Sequence, residues 1–230
     1  MVMLFAVEFV VFVEPASAKP PPTTVLVPSN MATVSGTKVA LDASASSGTT
    51  QVQFVLKEGS HRKAVIGTAV PTIYGWIVLW NSTTVPNGTY ALHSVADANG
   101  KSGTSTAITI TVDNTPPSTS VLIPSSGATL FGPAILDAAA SDNVGVTKVK
   151  FHLTGGTLND ASIATATPTL FGWIADWNSR TVPNGTYALQ SVADDAEGFS
   201  THSTGITVSV LNGPIAYVTE IGGAATGLAA

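Results

Sequence analysis

One sequence motif occurs twice in this chain, and this duplication constrains the fold more than any other feature. The motif reads WNSTTVPNGTYAL from Trp80 to Leu92 and WNSRTVPNGTYAL from Trp177 to Leu189, which is 97 residues later. Matching segments upstream and downstream keep nearly the same separation, so the whole repeating unit is about 95 residues long. A unit of this size is large enough to form a domain with its own core, and the sequence therefore predicts two tandem domains of one kind.

Each copy has the alternation expected of β-strands. Apolar residues alternate with polar ones in the same segment of both copies, at Val52, Phe54 and Leu56 and again at Val149, Phe151 and Leu153. Because successive side chains of a strand point to opposite faces, this pattern predicts one buried and one solvent-exposed face. No segment of either copy has a sustained helical period, so we expect an all-β fold.

The Pro-Asn-Gly-Thr-Tyr segment is the most specific local signal. We expect its Asn-Gly pair to supply the positive φ of a tight turn. Tyr90 and Tyr187 then open a strand, and Leu92 and Leu189 follow two residues later. This spacing resembles the tyrosine corner of immunoglobulin domains, in which a cysteine often holds the position that leucine holds here.

The composition excludes several classes of function. The chain has no cysteine, which rules out disulfides, thiol catalysis and cysteine-ligated zinc. Its formal net charge is −5 and its few basic residues are scattered, so we expect no nucleic-acid partner.

The N-terminus resembles a secretory signal peptide. Met1–Val13 is almost wholly apolar and is followed by the small residues Ala16, Ser17 and Ala18, after which we expect cleavage. Glu8 interrupts the apolar run and no basic residue precedes it, so an N-terminal strand or a disordered tail is the alternative. The run is too short for a transmembrane helix, and we expect no transmembrane span in the mature chain.

These observations divide the chain into four parts. They are a signal peptide at 1–18, one domain at 19–114, a second domain at 115–212 and a Gly- and Ala-rich tail at 213–230. Export predicts an extracellular or cell-surface location.

Both copies resemble the Big-type bacterial Ig-like domains of exported and cell-surface proteins. The second copy is closer to that family, with TPP at 115–117, ASDNVGV at 140–146, KVKF at 148–151, TVPNGTY at 181–187 and ADDAEG at 193–198. The first copy departs from the second at Ser46–Thr49, where it is shorter. The resemblance covers about residues 20–212 and implies two seven-strand-type β-sandwiches with a spacer, adhesion or substrate-positioning role. It implies no catalytic activity.

The sequence contains no recognisable catalytic or cofactor-binding motif. No phosphate-binding loop, nucleophile elbow or zinc-protease motif is present. Three of the histidines, His93, His152 and His202, have no histidine at the matching position of the other copy. We therefore expect no catalytic residue, no cofactor and no enzymatic activity.

Oxygen-bearing side chains in two loops of the second domain are weak calcium candidates. They are Asp142, Asn143, Asp194, Asp195 and Glu197. Ca²⁺ takes six to eight such oxygen ligands. The same residue types are also ordinary turn formers, which is the alternative interpretation.

Four tryptophans have two possible roles. They are paired four residues apart in each copy, at Trp76 and Trp80 and at Trp173 and Trp177, so each pair lies on one face of a strand. If exposed, they form a stacking platform for sugars; if buried, they belong to the core. Asp176 takes the opposite face in the second copy, which favours the core.

The function that fits best is a non-catalytic extracellular Ig-like module that acts as a structural spacer or as an adhesion or interaction domain. The alternative is a carbohydrate-binding module that uses exposed tryptophans. The corresponding partners are cell-wall or extracellular polysaccharide, or another protein.

Overall fold

The structure, a computed structural model, describes residues 19–58 and 62–213. The chain divides into two compact units between Asn114 and Thr115. The predicted signal peptide at 1–18 and all but the first residue of the predicted tail at 213–230 lie outside the described residues.

The described part of the first unit consists of short strands and one 3₁₀ turn, η1 (Ser82–Thr84). Its strands are β1 (Thr23–Val27), β2 (Ala32–Val34), β3 (Val39–Ala45), β4 (Gln51–Glu58), β5 (Arg62–Pro71), β6 (Trp76–Trp80), β7 (Gly88–Ala98), β8 (Lys101–Thr104) and β9 (Ile108–Val112).

The second unit repeats this order and contains the 3₁₀ turn η2 (Ser179–Thr181). Its strands are β10 (Ser118–Ile123), β11 (Thr129–Leu130), β12 (Pro133–Ser141), β13 (Lys148–Gly155), β14 (Leu158–Thr165), β15 (Thr167–Pro168), β16 (Trp173–Asn178), β17 (Gly185–Asp194), β18 (Ser200–His202) and β19 (Ile206–Val210).

The strands of the first unit follow the order β1-β3-β6-β5-β4-β7-β9-β2, and β8 pairs with β7. Neighbours are antiparallel except β2 and β9, which are parallel. Strand β5 belongs to both layers of the sandwich, because most of it pairs with β4 while Val70 and Pro71 pair with β6. The β1-β3-β6 and β4-β7-β9 layers share one apolar core.

In the second unit the two layers are separate sheets. One has the order β10-β12-β16-β15, and the other has the order β11-β19-β17-β13-β14 with β18 paired to β17. Ala166 separates β14 from β15, so the strand that is continuous in the first unit is divided here. The second unit has its own apolar core between these sheets.

The predicted strand faces are confirmed by burial. The alternating apolar residues of β4 and β13 are all inside, at Val52, Phe54, Leu56, Val149, Phe151 and Leu153. Within the described residues the helical segments are the two 3₁₀ turns, and no described helix is long and apolar enough to cross a membrane. The fold is therefore two immunoglobulin-like β-sandwiches, with short extra strands such as β2 and β8 added to the expected seven-strand plan.

The Asn-Gly turn meets the prediction in one unit only. Gly88 has a φ of +154°, but Gly185 has no positive φ, and neither do Asn87 and Asn184. Their side chains instead accept backbone N–H bonds from the last residues of each sandwich, Asn114 at 2.9 Å and Asn212 at 2.7 Å. The asparagines of this motif therefore hold the end of each domain in place.

Candidate functional sites

The tryptophans do not form an exposed platform. Trp80 and Trp177 are only 3% and 6% exposed and lie in the two cores, while Trp76 and Trp173 are half-buried and pack against them. Trp80 and Trp177 therefore do not meet the condition for sugar stacking, and the core interpretation is correct for both. The reason is the strand period, which directs Asp176 to the solvent face and Trp177 to the interior.

Two of the five calcium candidates, Asp142 and Asp194, have separate structural roles. The Asp142 carboxylate accepts the N–H groups of Val144 at 2.8 Å and Gly145 at 2.9 Å, which is an Asx-type turn. Asp194 accepts a hydrogen bond from Ser200 at 2.6 Å and forms an ion pair with Lys150 at 3.2 Å. Both carboxylates are thus engaged with protein groups.

The remaining candidates lie in the loop after β17. Asp195 is buried and accepts the N–H of Phe199 at 2.8 Å, and its ligand oxygen lies within 4.8 Å of that of Glu197. Asn143 is exposed. Among the residues that the structure describes, neither Asp142 nor Asp194 joins a group of three acidic or histidine ligand atoms. Calcium binding stays a prediction, and its strongest remaining members are Asp195 and Glu197.

Asp194 has a perturbed ionisation. Partial burial raises its pKa, but the hydrogen bonds from Ser200 and Lys150 and the charges of Lys150 and Lys148 outweigh this effect. The pKa of Asp194 therefore lies below its ordinary value, and the carboxylate is charged at neutral pH.

The structure brings two histidines together that the sequence did not pair. His152 on β13 and His202 on β18 flank the Asp160 carboxylate, with their Nδ1 atoms 2.9 and 3.7 Å from its Oδ1. The two rings meet edge to face at a centroid distance of 5.7 Å. As they lie, the three ligand atoms are not all close enough to share one ion. Only knowledge that β18 lies beside β17 would reveal this contact, because nothing local in the sequence marks it.

His93 has a structural role. Its Nδ1 lies 3.1 Å from the carbonyl oxygen of Ser105, and the matching residue Gln190 donates to the carbonyl of Ser203 at 2.7 Å. An imidazole and an amide therefore perform the same bridging task in the two units.

The buried serine hydroxyls bond to partners other than histidine. Ser94 bonds to Thr23 and Ser191 bonds to Thr119, both at 2.8 Å. A nucleophilic serine needs an adjacent base. Within the described residues, these two hydroxyls serve the framework.

Two hairpin tips were not identified from the sequence as functional features. The turn between β5 and β6 presents Ile73 at 91% and Tyr74 at 79% exposure. The turn between β15 and β16 presents Leu170 at 99% and Phe171 at 85%. The signal available in the sequence was the pair of adjacent large apolar residues between Thr and Gly in both copies.

Comparison with known proteins agrees with this fold. Residues 117–190 match the family model described as a bacterial Ig domain. No curated protein sequence matches the chain at a significant level.

Several solved structures match the chain at low sequence identity. The fibronectin(III)-like modules of Clostridium thermocellum CbhA are 18% identical with a TM-score of 0.46, over 83% of this chain and 94% of that one. A tetra-tandem repeat in the extending region of a large adhesion protein is 16% identical with a TM-score of 0.35, over 84% of this chain and 48% of that one. SGBP-B of the Bacteroides ovatus mixed-linkage glucan utilization locus, in complex with a mixed-linkage heptasaccharide, is 15% identical with a TM-score of 0.28, over 85% of this chain and 48% of that one.

Proposed function

We propose that this chain is an exported, non-catalytic module that acts as a structural spacer or an adhesion domain at the cell surface. Two findings support this: residues 117–190 match a bacterial Ig domain, and the first unit repeats the motif and strand order of the second. The observation that carries the proposal is the set of hydrogen bonds that the two units share. Bonds that hold the sandwich together are present in both units, whereas the histidines, which could act in catalysis or metal binding, differ between them.

Shared framework bonds support the structural part of the proposal. In both units a tyrosine hydroxyl donates a hydrogen bond to a proline carbonyl. In both, an asparagine just after the last strand accepts a hydrogen bond from a serine hydroxyl. By contrast, His152 and His202 stand where the first unit has Val55 and Thr104. A spacer or adhesion domain requires the framework to persist and allows its surface to diverge, which is the pattern seen here.

Export is tested by the N-terminus of the secreted protein. When the full chain is produced in a bacterial host, we expect mass spectrometry of the extracellular fraction to find Lys19 as the first residue. Ala18→Arg should block this processing, because the cleavage site requires small residues. A chain that stays in the cytoplasm with residues 1–18 intact would overturn the proposal.

Binding to isolated surface material separates the two roles. Fluorescently labelled protein is sedimented with purified cell wall, with extracellular polysaccharide and with surface protein extract. Saturable retention that unlabelled protein competes away assigns the adhesion role. Absence of retention on all three materials assigns the spacer role.

The carbohydrate alternative has a direct optical test. Buried indoles emit at shorter wavelength and resist quenching, so we expect blue emission from Trp80 and Trp177 and little quenching by acrylamide. Red-shifted emission that responds to polysaccharide would favour the alternative.

A further inference from the structure

We infer that the two exposed hairpin tips insert into a lipid surface. We call them tip 1 (Ile73 and Tyr74) and tip 2 (Leu170 and Phe171). All four side chains are at least 79% exposed, although large apolar side chains are normally buried. Each tip ends a hairpin, so its side chains project from a convex point.

The turn that carries each tip is fixed by hydrogen bonds. In tip 1 the Thr72 hydroxyl accepts the N–H groups of Tyr74 and Gly75, both at 3.1 Å, and donates to the Gly75 carbonyl at 2.9 Å. In tip 2 the Thr169 hydroxyl makes the same three bonds to Phe171 and Gly172. A turn that is fixed by hydrogen bonds therefore holds the apolar side chains in their exposed positions. They can contact lipid without a rearrangement of the turn.

A glycine in each turn allows the turn to pack closely against the neighbouring strand. Gly75 and Gly172 have φ values of +152° and +150°, which side-chain-bearing residues rarely adopt. A Cβ at either position would also collide with a carboxylate oxygen, that of Asp42 or Asp137. The turns therefore require glycine, and both units retain it.

The property common to both tips is apolarity. Ile73 corresponds to Leu170 and Tyr74 to Phe171, so both residues differ while both remain large and apolar. The Tyr74 hydroxyl has no counterpart in Phe171, which argues against recognition through a hydrogen bond at that position. Sugar recognition needs placed polar groups, whereas the threonine hydroxyl of each turn is already bonded within the turn.

Size and charge also favour lipid over protein. Two large side chains bury roughly 300–400 Å² per tip, about half of the roughly 800 Å² that each partner buries in a standard protein interface. No Asp, Glu, Lys or Arg occurs between Lys63 and Asp97 or between Asp160 and Asp176. The segment that carries each tip is uncharged, and the nearest carboxylate, that of Asp42 or Asp137, lies on the neighbouring strand against the glycine of the turn. The exposed tip side chains therefore enter the interface of a bilayer without a charge of their own segment. The net charge of −5 favours neutral headgroups over anionic ones.

This inference rests on the proposed surface role, but the two are tested by different measurements. Export is tested by the N-terminal residue of the secreted protein, and insertion is tested by contact with lipid.

The first test is optical and uses the full chain. Phe171→Trp places an indole at tip 2, and Phe131→Trp places one at an exposed phenylalanine beyond the opposite end of β12.

With phosphatidylcholine vesicles that contain brominated lipid, we expect additional quenching of Phe171→Trp relative to wild type and none for Phe131→Trp. Equal quenching at both positions, or none at either, would overturn the inference.

The second test uses vesicle sedimentation of the full chain. Leu170→Ser with Phe171→Ser should lower the partition coefficient about tenfold or more, and Ile73→Ser with Tyr74→Ser should do the same for tip 1. The control is Phe131→Ser, because serine is the residue that the first unit has at the matching position, Ser35. Unchanged partitioning of both tip variants, or binding that requires added anionic lipid, contradicts insertion of the tips.

Discussion

At the scale of single residues, a tyrosine corner fixes the strand that enters each core, in a chain that has no disulfide. The Tyr187 hydroxyl donates to the Pro183 carbonyl at 2.7 Å, and the ring is 4% exposed. Leu189, two residues later, is fully buried where related domains often have a cysteine. The prediction of this corner from the Pro-Asn-Gly-Thr-Tyr segment is confirmed.

Removal of the Tyr187 hydroxyl should weaken the second unit. Tyr187→Phe keeps the buried ring and loses one hydrogen bond, so the free energy of unfolding should fall by about 0.5–1.5 kcal/mol. Urea denaturation checks this, with Tyr90→Phe as the matched change in the first unit, where the hydroxyl bonds to Pro86 at 2.8 Å. An unchanged midpoint for both variants would show that the corner is not stabilising.

Asp194 should make the stability of the second unit depend on pH. Its folded pKa is lowered, so its contribution is present above the unfolded pKa of about 3.9 and disappears as the pH falls through the folded value. Asp194→Asn should therefore cost about 0.2–1 kcal/mol at pH 7, and this cost should shrink as the pH falls below the unfolded pKa. The control is Asp97→Asn, because Gln51 faces Asp97 where Lys148 faces Asp194. A cost for Asp194→Asn that stays the same as the pH falls would contradict the ionic origin.

At the scale of elements, buried hydroxyl pairs connect the first strand of each unit to the opposite sheet. Thr23 on β1 bonds to Ser94 on β7, and Thr119 on β10 bonds to Ser191 on β17. Ser94 and Ser191 are fully buried. Because a buried hydroxyl is costly unless it is bonded, these pairs fix the position of the strand as well as adding stability.

Breaking one side of such a pair should cost more than removing both. Thr119→Val should lower the free energy of unfolding by about 1–2 kcal/mol, because it removes the partner of the fully buried Ser191 hydroxyl. Adding Ser191→Ala should recover part of this loss, because no buried hydroxyl then lacks a bond. A double-mutant cycle by urea denaturation measures the coupling, and additive costs would mean that the two hydroxyls do not act as a pair.

At the scale of the whole molecule, each unit has the features of an independent folding domain. The core of the first includes Phe54, Leu92 and Ile110, and that of the second includes Phe151, Leu189 and Val208. All six of these side chains are fully buried. Cores of this kind supply most of the stability of a small sandwich, with no disulfide to assist them.

We therefore expect fragments 19–114 and 115–213 each to fold alone. Both should unfold cooperatively in urea and keep the blue tryptophan emission of the full chain, since each contains its own buried indole, Trp80 or Trp177. Phe151→Ala is the negative control for the second fragment, because it should cost about 3–5 kcal/mol. A fragment that is unfolded before this substitution would contradict independence.

The sequence by itself determined the fold class, the duplicated unit and the inward faces of β4 and β13. These follow from local order along the chain, because a strand places every second side chain on the same face wherever it lies. The tyrosine corner was equally accessible, since its donor and acceptor lie four residues apart.

Tertiary structure alone decided which distant residues meet. It brought His152 to His202 across β17, joined Asn87 to Asn114, engaged Asp194 with Lys150 and left tips 1 and 2 exposed. These outcomes depend on strand order and turn geometry, which residues far apart in sequence fix together. Local periodicity determines to which face of its strand a side chain points, and only the assembled sheets determine which residues it contacts on that face.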